Sequence, residues 1–227
     1  MSPAAPAPRP TPHPTPVVEA RHLSLAGPEG PVFTDVSLAV EPGRANVLVG
    51  PSRSGRSSLL LALCGRMQGC TGDLLAQGRP VRTGRDQRAL RRATSLARVS
   101  TFVVPEARLT VGESVVERAL VDGVRPAAAE RAFAAAEALL DVHLDRRSLV
   151  ERLDAYDETA LAVGLALVRP ADLVVLDDLD ADLALDDQRR LVDALVRVAD
   201  AGTAVLASTT EPRALPAAAL PHTLTDA

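Results

Sequence analysis

Apolar and polar positions along the chain switch repeatedly between a period of two and a helical period. Val36, Leu38 and Val40 alternate with Ser37 and Ala39, which predicts a half-exposed strand, and the Glu41-Pro42-Gly43 that follows predicts a turn. Ala45–Val49 is a short run, apolar but for Asn46, the pattern of a strand buried on both faces of a parallel sheet. Helical spacing is expected over 57–66 and again over 86–97, with a strand over 99–104. Two more helices are expected over about 111–120 and 126–141, the second opening on Pro126 at a favoured first position. An Ala/Leu/Val-rich helix should run from Asp157 to about 168 and end at Arg169-Pro170. Leu173–Leu176 predicts a second fully buried strand, closed by Asp177-Asp178. A helix over 186–200 stops at Ala201-Gly202 and leads into a strand over 203–207. The tail from Glu211 has three prolines and little pattern. Strands alternating with helices argue for an α/β fold with a mainly parallel sheet.

Residues 1–16 do not join this pattern. They hold seven of the 18 prolines, interleaved with Ala, Thr and Arg, so they cannot bury a core. A disordered, polyproline-like tail is expected there, with one domain filling 17–227. A chain of 227 residues buries about 70% of its unfolded surface, enough for a core without covalent staples.

Composition narrows the functional classes. The formal net charge of −4 gives no support to nucleic-acid binding, which calls for a basic stripe. Cys64 and Cys70 are too few for a disulfide framework and lack zinc-ligand spacing, so they read as ordinary reduced thiols. His13, His22, His143 and His222 are scattered and share no metal-ligand spacing. No apolar run approaches the roughly 18–20 residues that span a bilayer, and proline stands where a signal peptide would have its apolar core. A soluble, cytoplasmic protein is therefore expected. All 25 cationic residues are arginine, a bias that GC-rich coding accounts for.

The strongest chemical signal follows the first buried strand. Gly50-Pro51-Ser52-Arg53-Ser54-Gly55-Arg56-Ser57-Ser58 lies between Val47-Leu48-Val49 and a helical pattern. It meets the phosphate-loop pattern G-x-x-x-x-G-K-[ST] everywhere except at Arg56, which replaces the lysine. A helix N-terminus offers unpaired amides and a positive dipole end to phosphate oxygens. Gly50 and Gly55 let the backbone wrap closely, and Ser57 is placed to ligate Mg²⁺. Arg56 keeps the charge, but its planar fork cannot sit between phosphates as a compact point charge.

In order and spacing, the text around this loop resembles the nucleotide-binding domain of ATP-binding cassette (ABC) transporters from about Val17 to Thr210. Residues 36–43 resemble the strand and turn before the phosphate loop. Leu109-Thr110-Val111-Gly112-Glu113 resembles the start of the family's helical subdomain, expected here over about 105–168, and residues 167–177 resemble the end of the signature helix plus Walker B. The resemblance implies a P-loop NTPase fold of ABC type: a mainly parallel central sheet, an antiparallel β subdomain and a small helical subdomain. It also implies ATP and Mg²⁺ as cofactors, and a place on the cytoplasmic face of the membrane. The implied partners are a separate transmembrane permease and a second nucleotide-binding domain, in a homo- or heterodimer.

Carried over residue by residue, the resemblance is much poorer at the catalytic positions. Asp177 matches the Walker B aspartate that holds Mg²⁺ through water. Asp178 stands where the family has its catalytic glutamate. One methylene shorter, it would act from about 1.5 Å further back, where a misplacement of about 1 Å costs on the order of a hundredfold. The signature LSGGQ falls on Leu153-Asp154-Ala155-Tyr156-Asp157, with both glycines gone and two carboxylates gained. The switch histidine falls on Thr209, the Q-loop glutamine near Val104, and the adenine-stacking aromatic near Ala26 or Gly27. The D-loop reads Ala181-Asp182-Leu183-Ala184. The expected function is therefore an ATP-binding subunit of an ABC-type membrane complex with weak or lost hydrolysis. The alternative is a non-catalytic regulatory or scaffold module in which ATP is structural or absent.

Overall fold

The computed structural model of the chain describes residues 14–99 and 103–224. In chain order the elements begin with β1 (Val18–Gly27), β2 (Gly30–Val40), β3 (Ala45–Val49), α1 (Arg56–Leu63), β4 (Thr71–Ala76) and β5 (Arg79–Pro80). There follow α2 (Gly84–Ala93), β6 (Thr94–Arg98), α3 (Val111–Asp122), α4 (Pro126–Leu140) and α5 (Ala155–Ala166). The chain ends with β7 (Leu173–Leu176), α6 (Leu185–Asp200), β8 (Ala204–Thr209) and β9 (Leu220–Thr223).

Two sheets organise the fold. The central one is parallel throughout, in the order β6-β7-β8-β3-β9. Its inner strands are covered on both faces, and Val47, Leu173, Val174, Val175, Leu176, Val205 and Leu206 are all fully buried. That double burial is why they read as continuous apolar runs. The second sheet is antiparallel, in the order β2-β1-β4-β5, and it shares one core with α1 through Phe33, Leu59, Leu60 and Leu63. The α5 and α6 helices cover the other face of the central sheet. A third apolar cluster ties α3, α4 and α5 to one another around Val115, Phe133 and Leu161. The fold is thus the α/β arrangement expected, with a parallel central sheet, an antiparallel sheet beside it and a helical group.

Three local expectations are corrected. The helix expected over 86–97 stops at Ala93, and its second half is β6, hydrogen-bonded in parallel to β7. Thr94 at the C-cap is extended, with φ −116° and ψ 139°, and no Gly or Pro announces the change. The strand expected over 99–104 survives only as a single antiparallel bridge between Val99 and Val103, and residues 100–102 of it lie outside the described residues. The tail after Glu211 is not patternless: Leu220–Thr223 adds an edge strand to β3. The expectation for residues 1–16 falls mostly outside the described residues as well.

Helix ends follow local chemistry. Capping boxes open α2 (Thr83 with Asp86) and α3 (Thr110 with Glu113), and Pro126 sits at the start of α4. The α1 helix stops at Leu63, three residues earlier than expected, with Gly65 at φ 67° turning the chain. Among the described residues no helix is long and apolar enough to cross a membrane.

Candidate functional site

The loop 50–55 joins a buried parallel strand to the N-terminus of a helix, and its two glycines are required by space. A Cβ on Gly50 would meet the Leu224 carbonyl oxygen at 2.8 Å and Ser54 Oγ at 2.9 Å. At Gly55, φ is 83° and a Cβ would meet the Val32 carbonyl oxygen at 2.3 Å. The loop is therefore wrapped tightly between β2 and the segment after β9. Gly50 N–H donates to the Thr209 carbonyl at 3.2 Å, and Ser54 N–H to the Pro51 carbonyl at 3.3 Å. Pro51, Ser52 and Arg53 are exposed, and Arg53 takes φ 70° at the crest. Ser54 Oγ is buried with no hydrogen-bond partner, a hydroxyl left over for something outside the chain. Ser57 and Ser58 lie in the first turn of α1, where amides have no intrahelical acceptors.

Arg56 does not extend toward solvent. Its Nη1 donates to the carbonyl oxygens of Gly50 and Thr209, the latter at 3.1 Å, and its Nη2 donates to Asp178 Oδ1 at 2.8 Å. The guanidinium thus closes back over its own loop and forms an ion pair across the cleft, with its side chain 8% exposed and that of Asp178 40% exposed. Burial pushes the Asp178 carboxyl up from the usual carboxylate range, Asp177 and Asp180 push it further, and Arg56 opposes them.

Asp177 ends the run of β7 and is fully buried, its carboxylate accepting from the Ser208 hydroxyl and, at 3.1 Å, from Asp178 N–H. The chain then turns sharply at Asp178, which sits at φ 45°. Its N–H donates to Ser208 Oγ at 2.9 Å, and its carbonyl accepts from Arg98 Nη2 at the same distance. Ser57 faces the cleft beside Arg56 and Asp178. Asp177 borders the adjoining cleft, with Arg98 and Glu158.

Thr209, expected at the switch position, does not reach the cleft. Thr209 is fully buried, and its hydroxyl accepts from Glu211 N–H at 2.9 Å. Thr210 is the residue at this strand end that faces the phosphate loop, and its N–H and hydroxyl both donate to Asp180 Oδ2.

The segment 153–157 also behaves differently from its sequence. Asp154 is the N-cap of α5 and accepts from Asp157 N–H at 2.8 Å, with Asp157 and Glu158 in the first turn. These carboxylates neutralise the positive end of α5 that would otherwise attract an anion. Tyr156 points into the core, where it is 5% exposed, with the Arg190 guanidinium 4.1 Å from its ring centroid. The ring therefore does not stand on the surface that would approach a nucleotide. Val104 is exposed, Ala26 and Gly27 close the tip of β1, and Leu183 of the D-loop position is buried.

A family model described as ABC transporter matches residues 33–181, spanning the phosphate loop and the Asp177-Asp178 turn. The chain belongs to the ABC transporter family. Within it, the cassette is 30% identical over 207 residues to the hemin import ATP-binding protein HmuV of Myxococcus xanthus, covering 84% of this chain and 73% of that protein. It is 31% identical over 191 residues to the Fe(3+) ions import ATP-binding protein FbpC 3 of Rhodococcus jostii, covering 81% and 52%. The ribose import ATP-binding protein RbsA 2 of Escherichia coli O157:H7 is 26% identical over 201 residues, 85% of this chain and 38% of that protein. The cassette thus spans between about two fifths and one half of the length of the ribose and iron relatives. Among solved structures, a dimeric bacterial ABC transporter cassette superposes with a TM-score of 0.75 at 14% identity, covering 92% of this chain and 94% of that one. The cbiO1 protein of Clostridium perfringens, part of the ABC transporter complex cbiONQ, gives 0.74 at 14% identity, with 87% and 79% covered. The cassette has the fold of an ABC nucleotide-binding domain.

Proposed function

We propose that the chain is the ATP-binding subunit of an ABC membrane transport complex, with a site that binds ATP but hydrolyses it weakly or not at all. The observation that carries this reading is the ion pair between Arg56 and Asp178, which engages the loop cation and the residue at the catalytic carboxylate position with each other. The loop itself fits a nucleotide phosphate. Its glycines are needed for close wrapping, Ser54 Oγ has no partner inside the chain, and the first turn of α1 presents amides. The loop 50–55 and the start of α1 would hold the phosphates, with Ser57 and Asp177 on the Mg²⁺ side. When bound, Mg-ATP supplies the cleavable phosphoanhydride. The chain's own residues then bind and orient it, while Asp178, at the catalytic carboxylate position, is engaged by Arg56, and Thr210 is bonded to Asp180. The switch position is assigned to Thr210 in place of Thr209.

The import ATP-binding relatives and the cassette that is part of an ABC transporter complex support a separate transmembrane permease and a place on the cytoplasmic face of the membrane. The dimeric solved cassette supports pairing with a second nucleotide-binding domain. A competent second domain would let one composite site work. Titrating Mg-ATP against melting temperature tests the binding reading, since a ligand that binds only the native state must raise it. A rise at millimolar nucleotide is expected, and no shift would overturn it. Co-expression with candidate permeases tests the partner. Recovery that is always free of the membrane subunit would count against it.

A second reading is a non-catalytic regulatory or scaffold module with ATP structural or absent. The acidic start of α5, with Asp154, Asp157 and Glu158 at one helix end, favours it. No thermal shift with nucleotide, together with stable binding of a permease, would select this reading.

A further inference from the structure

The cation of the phosphate loop is not merely present; it is already committed. Nη1 of Arg56 is spent on two backbone carbonyls, those of Gly50 and Thr209, and Nη2 is spent on Asp178. A guanidinium has five N–H groups in one rigid plane, and with three of them engaged here it cannot turn toward a new anion without breaking those bonds. Its counter-ion is held from behind. Asp178 is pinned through its N–H by Ser208, through its carbonyl by Arg98, and by a left-handed backbone at φ 45°. The turn that carries its carboxylate is therefore held in place from behind, and the carboxylate itself is bonded by Arg56.

At such a loop the inner phosphate of a nucleotide is gripped by backbone amides, and the loop cation attracts the outer phosphates. Here the amide part is intact and Arg53 stays exposed at the crest of the loop, while Arg56, at the position that recognises the outer phosphates, is paired with a carboxylate. A diphosphate uses what remains. A third phosphate adds negative charge next to Asp178 and gains little from Arg56 in return.

We propose that the Arg56–Asp178 pair removes the loop's preference for a terminal phosphate, so that this cassette takes nucleoside diphosphates as readily as triphosphates, with Asp178 as the specificity-determining residue. The inference rests on the loop binding nucleotide phosphate at all, as proposed above. It makes the site a reader of nucleotide occupancy that does not distinguish a spent nucleotide from a fresh one.

Isothermal titration of the full chain with Mg-ADP and with the Mg²⁺ complex of a non-hydrolysable ATP analogue tests this, because neither probe is consumed. The wild-type dissociation constants are expected to agree within threefold. Asp178→Ala should tighten the triphosphate at least tenfold and the diphosphate less than threefold. Asp178→Asn, which keeps the shape of the turn and removes the charge, should behave the same way if the alanine variant fails to fold. A wild-type preference for the triphosphate of tenfold or more overturns the proposal alone, as do equal effects of the variant on both ligands. No binding of either nucleotide by the wild type and variants overturns the phosphate-loop reading, and the proposal with it.

Discussion

Arg98, the last residue of β6, donates from Nη2 to the carbonyl oxygen of Asp178 at 2.9 Å while its Nη1 donates to Thr159 Oγ1 at 3.0 Å. One side chain thus links three parts of the chain that are far apart in sequence: the edge of the central sheet, the turn after β7, and the start of α5. Loss of these bonds leaves a carbonyl and a hydroxyl in a half-buried setting. Arg98→Ala is expected to lower stability by about 2–3 kcal/mol, from charge-assisted bonds of about 1.5–3 kcal/mol each with partial rescue by water. Arg98→Lys should recover less than half, because one ammonium cannot span both acceptors. Denaturant titration of the two variants measures this.

Gly55→Ala should damage the loop more than its size suggests. The residue sits at φ 83°, and the added methyl would meet the backbone oxygen of Val32 at 2.3 Å. A left-handed residue other than glycine costs about 1–3 kcal/mol before any clash. The variant is expected to lose at least that much stability and to lose the nucleotide-induced thermal shift. A variant with wild-type stability and shift would contradict the described wrapping.

The central strands were legible because double burial forces a near-continuous apolar run, as at Leu173–Leu176 and, interrupted only by Asn46, at Ala45–Val49. The phosphate loop was legible because its glycines and its serines at the start of α1 sit at fixed offsets. The β6 strand was not, because Thr94–Arg98 follows a helix directly, and only pairing with β7 makes it extended. Leu220-Pro221-His222-Thr223 has no strand pattern of its own and is a strand because the edge of β3 supplies hydrogen-bonding partners. The commitment of Arg56 to Asp178 spans 122 positions, a relation no local pattern carries. Thr209 and Thr210 are adjacent hydroxyls that look alike in sequence, and only the fold buries the first at the end of β8 and leaves the second exposed beyond it.

Tyr156 occupies a position where the family has glycine, yet restoring glycine should do harm. The ring is 5% exposed within the core, and its hydroxyl lies 3.5 Å from the Leu140 carbonyl, a long contact. Tyr156→Phe is expected to change stability by less than about 1 kcal/mol, since it loses one weak bond. Tyr156→Gly should cost more than about 3 kcal/mol, because removing a buried aromatic leaves a cavity and glycine weakens the helix. Thermal denaturation of the pair checks the ordering.

Stability should fall on mild acidification, in part through His222. Burial lowers its pKa from 6.5 despite the opposing pull of Glu41, so the folded chain binds its proton less readily than the unfolded chain. The stability that depends on a neutral ring is fully present above about pH 6.5 and is lost as the pH falls below it. His222→Gln should show a shallower loss between pH 7.5 and 5.5 than the wild type. Equal slopes in denaturant titrations at the two pH values would contradict this.

With the proposed phosphate cradle beside a catalytic position already engaged by Arg56, phosphate release is the most direct test. At saturating Mg-ATP the purified chain is expected to turn over below about 0.1 per second, some hundredfold under a typical enzyme median of about 10 per second, and at the same rate as Asp178→Ala. Turnover near that median that disappears in Asp178→Ala would contradict it.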